Sequence, residues 1–378
     1  MKLVHVISGL NTGGAEMMLF KLLSVWDRSA YQVEVISLTD VGVVGDRIRG
    51  LNIPVRALDM PRGRPSLTGL FRLARWLRQS SPDVIQTWMY HADLIGGLAS
   101  KLGGGAPVVW GIRNGLLERR SNKRSTIWTA KLCARLSSSI PKRIAVNSEN
   151  ARRFHETMGY NAEKMAVIPN GFDLTAFKPD AEARRALRSE LGLPTETLLI
   201  GLVARFDPQK DHRNFIEAAR LLIQRIPDAR FVLCGDGVDA GNGELNAWIR
   251  AVGLVDRVHL LGRRDDIAKV TAALDVACCS SYAEAFPNVV GEAMACAVPC
   301  VVTDVGDSAF IVGDAGKVVP PQQPERLAEA MSWMIALGAE GRQQLGGKAR
   351  RRIEENFDLS VIRDRYAALY REVAAKRA

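Results

Sequence analysis

Short apolar runs alternate with helical patterns along the whole of this 378-residue chain, and the alternation is played through twice. Leu3-Val-His-Val-Ile, Gln32-Val-Glu-Val-Ile-Ser, Asp83-Val-Ile-Gln-Thr, Pro107-Val-Val-Trp and Arg143-Ile-Ala-Val-Asn read as the strands of a first half. Leu198-Leu-Ile-Gly-Leu-Val, Ala229-Arg-Phe-Val-Leu-Cys, Val258-His-Leu-Leu, Val276-Ala-Cys-Cys and Pro299-Cys-Val-Val-Thr read as the strands of a second. Most of these runs are apolar throughout, which suits strands buried on both faces by flanking helices. The fold class is therefore α/β, each half an open, mostly parallel, Rossmann-like sheet. Length agrees, because single cores stop growing well short of this size. Pro169 and Gly171 mark a turn in Ile168-Pro-Asn-Gly-Phe-Asp, so the halves are expected to be residues 1–172 and 173–357. No short-period repeat points to a solenoid.

The composition, 47% hydrophobic and 24% charged, is that of a soluble globular protein. No apolar run approaches a membrane span, and Lys2-Leu-Val-His-Val-Ile-Ser-Gly reads as a first strand rather than a signal peptide, so a cytosolic location is expected. Cys133, Cys234, Cys278, Cys279, Cys296 and Cys300 show neither zinc spacing nor a disulfide framework and read as reduced core residues. The net charge of +10 is uneven: residues 1–175 hold 24 Lys and Arg against 13 Asp and Glu, the remainder 27 against 28. In Ser66-Leu-Thr-Gly-Leu-Phe-Arg-Leu-Ala-Arg-Trp-Leu-Arg, Leu67, Leu70, Phe71, Ala74 and Leu77 form an apolar stripe, and Arg72, Arg75 and Arg78 a charged one. A second basic cluster, Arg119, Arg120, Lys123, Arg124, Lys131 and Arg135, is interleaved with Ile127, Trp128 and Leu132. Each cluster taken alone reads as a solvated helix face. Two in one half point to an anionic partner, either a lipid headgroup surface or a phosphorylated acceptor.

Candidate site residues fall where strands give way to helices. Glu284-Ala-Phe-Pro-Asn-Val-Val-Gly-Glu292 follows an apolar strand and opens a helix at Pro287 and Asn288, with Glu284 on the turn and Glu292 over a turn into the helix. Amides at a helix start suit a phosphate, and the flanking carboxylates suit sugar hydroxyls. Arg205 and Lys210 lie five apart on the loop after an earlier strand and could neutralise a diphosphate, or could simply face solvent. Gly13 and Gly14, in Gly9-Leu-Asn-Thr-Gly-Gly-Ala-Glu, follow the first strand at a position where open α/β sheets bind ligands. Gly235-Asp-Gly237 lacks the rest of a dinucleotide fingerprint, and no P-loop is present. His5 and His259 lie inside strand patterns and read as core or edge residues, whereas His91 lies beyond the end of a strand. No His-x-x-x-His, Cys-x-x-Cys or Asp-x-Asp occurs, so spacing indicates no metal.

In this order and spacing, the Gly13-Gly14 loop, the His91 segment, Ile168-Pro-Asn-Gly-Phe-Asp173, Arg205 with Lys210, Gly235-Asp-Gly237 and the Glu284–Glu292 segment resemble the retaining glycosyltransferases of family 4. The resemblance covers nearly the whole chain. It implies the GT-B fold, two Rossmann-like domains facing across a cleft, with a C-terminal helix at about 358–378 returning to the first domain. It implies a hexosyltransferase-type enzyme with no cofactor and no metal, moving a sugar from a nucleotide donor, UDP before GDP, to a saccharide or lipid-linked saccharide acceptor, as in surface polysaccharide or glycoconjugate assembly. In the roles so implied, Arg205 and Lys210 grip the donor diphosphate, Glu284 holds the donor sugar, and the backbone from Phe286 through Pro287 and Asn288 to Val289 meets sugar and phosphate oxygens. Glu292 binds the ribose, backbone near Arg263 the base, Gly13 and Gly14 admit the phosphates, and His91 lies by the reacting sugar. The leaving phosphate accepts the acceptor's proton, so the two-carboxylate scheme of retaining glycosidases is not assumed. Two departures stand out. Ala285 replaces a frequent Gly, so its backbone should avoid positive φ, and Asp211 replaces a frequent Gly after the lysine.

Two other classes compete. A sugar-nucleotide epimerase or hydrolase on the same fold would turn over donor without acceptor. A membrane-surface or nucleic-acid binding module built on the basic half would bind in a strongly salt-dependent way. The unbroken donor motif disfavours the latter, and no nucleic-acid partner is expected.

Overall fold

The computed structural model describes residues 1–61, 66–115, 117 and 123–375. Two compact units divide the chain: Met1–Gly171 with the C-terminal helix Leu359–Ala375, and Phe172–Asp358. Phe172 lies with the second unit, where its ring stacks on Phe286 and meets Phe357 edge-on.

In the first unit the strands are β1 (Lys2–Ile7), β2 (Gln32–Ser37), β3 (Val55–Ala57), β4 (Val84–Trp88), β5 (Val108–Ile112), β6 (Arg143–Val146) and β7 (Met165–Val167). They form one sheet in the order β3-β2-β1-β4-β5-β6-β7, with every pairing parallel. The order reverses between β1 and β4, whose register pairs Leu3 with Val84 and Ile7 with Trp88. The helix Leu359–Ala375 buries Ile362, Tyr366, Tyr370 and Val373 in the core beneath this sheet, beside Leu3, Ile7 and Trp88. Tyr370 Oη donates to Gln86 Oε1 at 3.1 Å, giving the buried amide of Gln86 in β4 a partner.

The second unit repeats the architecture with β8 (Leu199–Val203), β9 (Arg230–Cys234), β10 (Val258–Leu260), β11 (Val276–Cys279), β12 (Cys300–Thr303) and β13 (Gly316–Val319). The order is β10-β9-β8-β11-β12-β13, again all parallel, with the reversal between β8 and β11. At a reversal the two connecting segments leave in opposite directions, which opens a crevice at the carboxyl ends of the strands. Each unit therefore has one built-in ligand position.

An ion cluster fixes the base of the second reversal. Asp275, just before β11, accepts from Arg184 at 2.7 Å, from the fully buried Arg188 at 2.7 Å and from the Leu199 amide at 2.8 Å. It thus ties the helix Ala181–Glu190 to both strands that flank the crevice. Asp275→Asn leaves Arg188 buried without its counter-charge and is expected to cost about 3–5 kcal/mol. The readout is the urea midpoint of unfolding, and an unchanged midpoint would show that Arg188 reaches another partner.

Burial departs from the sequence pattern on the helix Leu67–Ser80. Gly69, Leu73, Ala74 and Leu77 are its buried residues, so Leu67 and Phe71, expected in the apolar stripe, face solvent beside the arginines. Leu73, on the flank of that stripe, joins Ala74 and Leu77 in the core. Of the second basic cluster, Arg119 and Arg120 lie outside the described residues; Trp128 and Leu132 are exposed. The six cysteines are buried and unpaired. Among the described residues, no helix is long and apolar enough to cross a membrane.

Candidate active site

The second crevice is built by three loops held to one another by hydrogen bonds. After β8 the chain makes a 3-10 turn, Pro208–Lys210, capped by Asp207, whose carboxylate accepts from the Gln209 amide at 2.9 Å. Asp211 then takes the left-handed conformation, φ 49°, and its carboxylate caps the helix His212–Ile223 by accepting from the Asn214 amide at 3.2 Å. This is the position where the resemblance drawn from the sequence implies a glycine. Asp tolerates this conformation because its short acceptor compensates the steric cost with a cap. Ser280 Oγ, after β11, donates to the Lys210 and Asp211 carbonyls at 2.9 and 3.1 Å, and the Tyr282 amide donates to the Gln209 carbonyl at 2.9 Å.

This scaffold brings Lys210 and Glu284 together. Lys210 Nζ donates to Glu284 Oε1 at 2.5 Å, and Ser281 Oγ donates to the same oxygen at 2.7 Å. Both partners are mostly buried, Lys210 at 20% and Glu284 at 11% side-chain exposure, so the attraction is less screened than at a surface. The Glu284 turn is pinned from behind by the Asp307 amide, which donates to the Ala285 carbonyl at 3.0 Å. Gly306 makes that approach possible: its φ is +55°, and a Cβ there would lie 2.6 Å from the carbonyl oxygens of Glu284 and Ala285. Ala285 itself lies outside the left-handed region.

Beyond the turn, Pro287 stands at the N-cap of the helix Asn288–Ala295 and supplies no side-chain capping hydrogen bond. The Phe286 side chain is core, stacked on Phe172, so only its backbone could meet a ligand. Asn288 and Val289 open the helix, and Glu292 lies in its second turn. Arg205 does not join the Lys210–Glu284 pair. It is exposed on the same loop and is ion-paired with Asp207 at 3.1 Å. Arg263 is exposed just past β10, whereas its neighbour Arg264 is locked to Glu190 and Asp266. Gly235, passed over as a cofactor signal, has a packing reason: a Cβ there would meet the Ala204 carbonyl oxygen at 2.1 Å, where the loops after β8 and β9 touch.

The first crevice holds a cavity of about 630 Å³ at the reversal between β1 and β4. His91 lines it from the first turn of the helix Tyr90–Leu102. Burial lowers the His91 pKa below the ordinary value, so at neutral pH its imidazole is uncharged. Met89, which also lines the cavity, precedes that helix at φ 73°, ψ 154°. Strain of this kind in a side-chain-bearing residue costs on the order of 1–3 kcal/mol and is typical of ligand sites.

Gly13 is the N-cap of the helix Gly14–Ser24, and Gly14 its first residue. Sequence reasoning gave no role to Glu16, yet its carboxylate lies over Gly13, where an added Cβ would be 2.3 Å from Glu16 Oε2. Glu16 also lines the cavity, and burial raises its pKa. Its spacing, three residues after the N-cap, was a readable signal for a carboxylate folding back on the helix start. Lys123 and Trp128 complete the cavity from the side of the helix Arg124–Leu136. Among the described residues, no group of three or more His, Cys, Asp or Glu is placed to hold a metal ion.

Two parallel sheets of Rossmann order, one carrying a lysine–carboxylate pair before a helix start, define the GT-B class of sugar-transferring proteins. Comparison with known proteins fixes the family. Residues 12–176 match the family model described as Glycosyltransferase Family 4, and residues 197–336 match that described as Glycosyl transferases group 1. The chain belongs to this family of glycosyltransferases. It is 28% identical over 282 residues to the Escherichia coli UDP-Gal:alpha-D-GlcNAc-diphosphoundecaprenol alpha-1,3-galactosyltransferase, covering 73% of this chain and 70% of that enzyme. It is also 28% identical over 313 residues to Bacillus subtilis EpsF, covering 80% and 79%. In structure it is similar to Anabaena Alr3699/HepE, crystallised in complex with UDP, at a TM-score of 0.85 and 24% identity over 98% of this chain and 100% of that one.

Proposed function

We propose that this glycosyltransferase takes its sugar from a UDP-sugar, works with retention of anomeric configuration and without a metal ion, and delivers to a saccharide or lipid-linked saccharide acceptor in surface glycan assembly. The observation that carries the reading is the Lys210–Glu284 pair at the second reversal, directly before the Asn288–Ala295 helix start. An ammonium, a carboxylate and a row of helix-terminal amides match, in turn, a diphosphate, sugar hydroxyls and phosphate oxygens. As the bond from the anomeric carbon to the diphosphate oxygen breaks, charge grows on the leaving phosphate, and Lys210 is the cation set to stabilise it. The acceptor oxygen bonds to the same face of that carbon and gives its proton to the departing phosphate. Arg205 would have to leave Asp207 to take part, a change the donor's own charge would favour. The neutral His91 in the first unit suits a sugar hydroxyl better than a phosphate. The uracil base is supported by two relatives: the E. coli enzyme named for UDP-Gal, and HepE, whose crystals held UDP or UDP-glucose.

A thermal-shift panel of UDP-glucose, UDP-galactose, GDP-mannose and ADP-glucose tests this. At about 100 times its Kd the true donor stabilises the native state by about 2.7 kcal/mol, a rise of several degrees in Tm. The rise is expected with a UDP-sugar and is expected to survive EDTA. A shift with GDP-mannose alone would reassign the base, and loss of the shift on chelation would bring a metal into the donor site.

A further inference from the structure

Three neighbouring helices of the first unit, Leu67–Ser80, Tyr90–Leu102 and Arg124–Leu136, carry an unusual share of the exposed apolar surface. Of the 11 large hydrophobic residues exposed among the described ones, six lie here: Leu67, Phe71, Leu98, Leu102, Trp128 and Leu132. They form helical i,i+4 pairs, and the first helix, the middle one and the last are packed side by side. Trp128 is 73% exposed, Leu67 74% and Phe71 61%, values that no packing inside this unit explains.

Charge on the same helices has one sign. Arg72, Arg75 and Arg78 on the first and Arg124, Lys131 and Arg135 on the last are exposed, and neither helix contains a carboxylate. The one acid of the middle helix, Asp93, is fully buried. Solvated faces usually mix both signs, and large apolar side chains among cations gain nothing from water. Apolar side chains that can enter an acyl boundary, set among cations that can meet headgroup phosphates, are the chemistry of a bilayer-surface contact.

We propose that this face docks on an anionic membrane surface, with Leu67, Phe71, Trp128 and Leu132 entering the headgroup boundary and the six cations meeting lipid phosphates. Trp128 and Lys123 belong both to this face and to the lining of the 630 Å³ cavity, so the cavity opens beside the contact. An acceptor held in a bilayer would reach it without leaving the membrane. The docking itself goes beyond the donor and acceptor reading and stands on separate residues.

Co-sedimentation of the full-length protein with vesicles, without substrates, tests it. Vesicles of phosphatidylcholine with about one third phosphatidylglycerol are expected to bind it at least ten-fold more strongly than phosphatidylcholine alone. Leu67→Ser/Phe71→Ser, at exposed positions outside both crevices, is expected to lose at least ten-fold in vesicle partition. Arg72→Gln/Arg75→Gln/Arg78→Gln is expected to lose on the order of 100-fold on anionic vesicles. UDP-sugar thermal shifts in these variants should match the parent protein, which separates failure of docking from failure of the donor assignment. Absence of vesicle binding, or equal binding by the Leu67→Ser/Phe71→Ser variant, overturns the proposal. So does binding to RNA or to an acidic protein that outcompetes the vesicles.

Discussion

Glu284→Gln and Lys210→Ala are each expected to lower sugar transfer about 10²–10³-fold, the cost of removing one preorganised partner of a developing charge. The two substitutions should fail differently. Gln at 284 keeps the shape of the side chain and an oxygen that can still accept from Lys210 and Ser281, so the loops keep their places. It loses the negative charge that orders donor hydroxyls, and transfer should fall while UDP itself still raises Tm. Ala at 210 removes the cation facing the diphosphate, so the UDP shift should shrink together with turnover. It also leaves Glu284, only 11% exposed, without its counter-charge, and the unliganded protein should melt earlier. Because the residues touch, the double variant should cost less than the product of the singles. Single-turnover transfer assays beside the melting curves decide the matter. If either variant stays within about three-fold of the parent rate, the pair is a structural clasp and the site lies elsewhere.

The pairing behind that prediction was legible for a physical reason. Apolar runs without alternation announced the central strands, and in a parallel sheet the loops at their carboxyl ends must gather on one edge, so residues 74 apart, Lys210 and Glu284, were bound to converge. The strands that escaped notice were β3, β7 and β13, each at a sheet edge. Val55–Ala57 and Met165–Val167 have three residues apiece, and Gly316–Val319 is partly exposed, so none offers the continuous apolar run of a strand buried on both faces. Helical periodicity placed Leu67 and Phe71 in an apolar stripe with Ala74 and Leu77. The helix instead turns Leu73 inward, because a period says which residues share a face but not which face meets the core. The strain at Met89 was invisible for another reason: a methionine in a glycine-like conformation leaves no mark in composition or spacing. Arg205 was expected beside Lys210 on a common loop, but side-chain choice among nearby acids is local, and Asp207 is two residues away.

Stability is expected to peak near pH 6.5 and to fall on both sides, for opposite reasons. His5, His155 and His212 are buried, and burial lowers their pKa values to about 3, 4 and 4. For His5 the hydrogen bond demands the neutral ring. Trp88 Nε1 donates to His5 Nδ1 at 3.1 Å, and Tyr90 Oη lies 2.6 Å from His155 Nε2 while His155 Nδ1 faces the Ala151 carbonyl. A second ring proton would set donor against donor in His5, whereas His155 could keep both contacts with the Tyr90 hydroxyl turned to accept. A base with a depressed native pKa contributes stability that is complete above its unfolded value, about 6.5, and is lost as pH falls towards the native one. Asp93 runs the other way. Burial lifts its carboxyl to about 8 although Thr87 Oγ1 and the Gly111 amide donate to Oδ1 at 2.5 and 3.0 Å. An acid raised in the native state is most favourable below its unfolded value, about 3.9, and its contribution is lost as pH rises to 8. Between pH 4 and 6.5 these three histidines, with His91 and His259 shifted the same way by burial, outweigh Asp93, so stability should rise with pH. From pH 6.5 to 8 Asp93 works against the fold, and its own contribution should fall by about 2 kcal/mol. Urea melts at pH 5, 6.5 and 8 measure both limbs, and Asp93→Asn should flatten the alkaline one alone. A profile flat from pH 5 to 6.5 would mean that the histidines meet solvent, and an alkaline limb that persists in Asp93→Asn would assign it to another group.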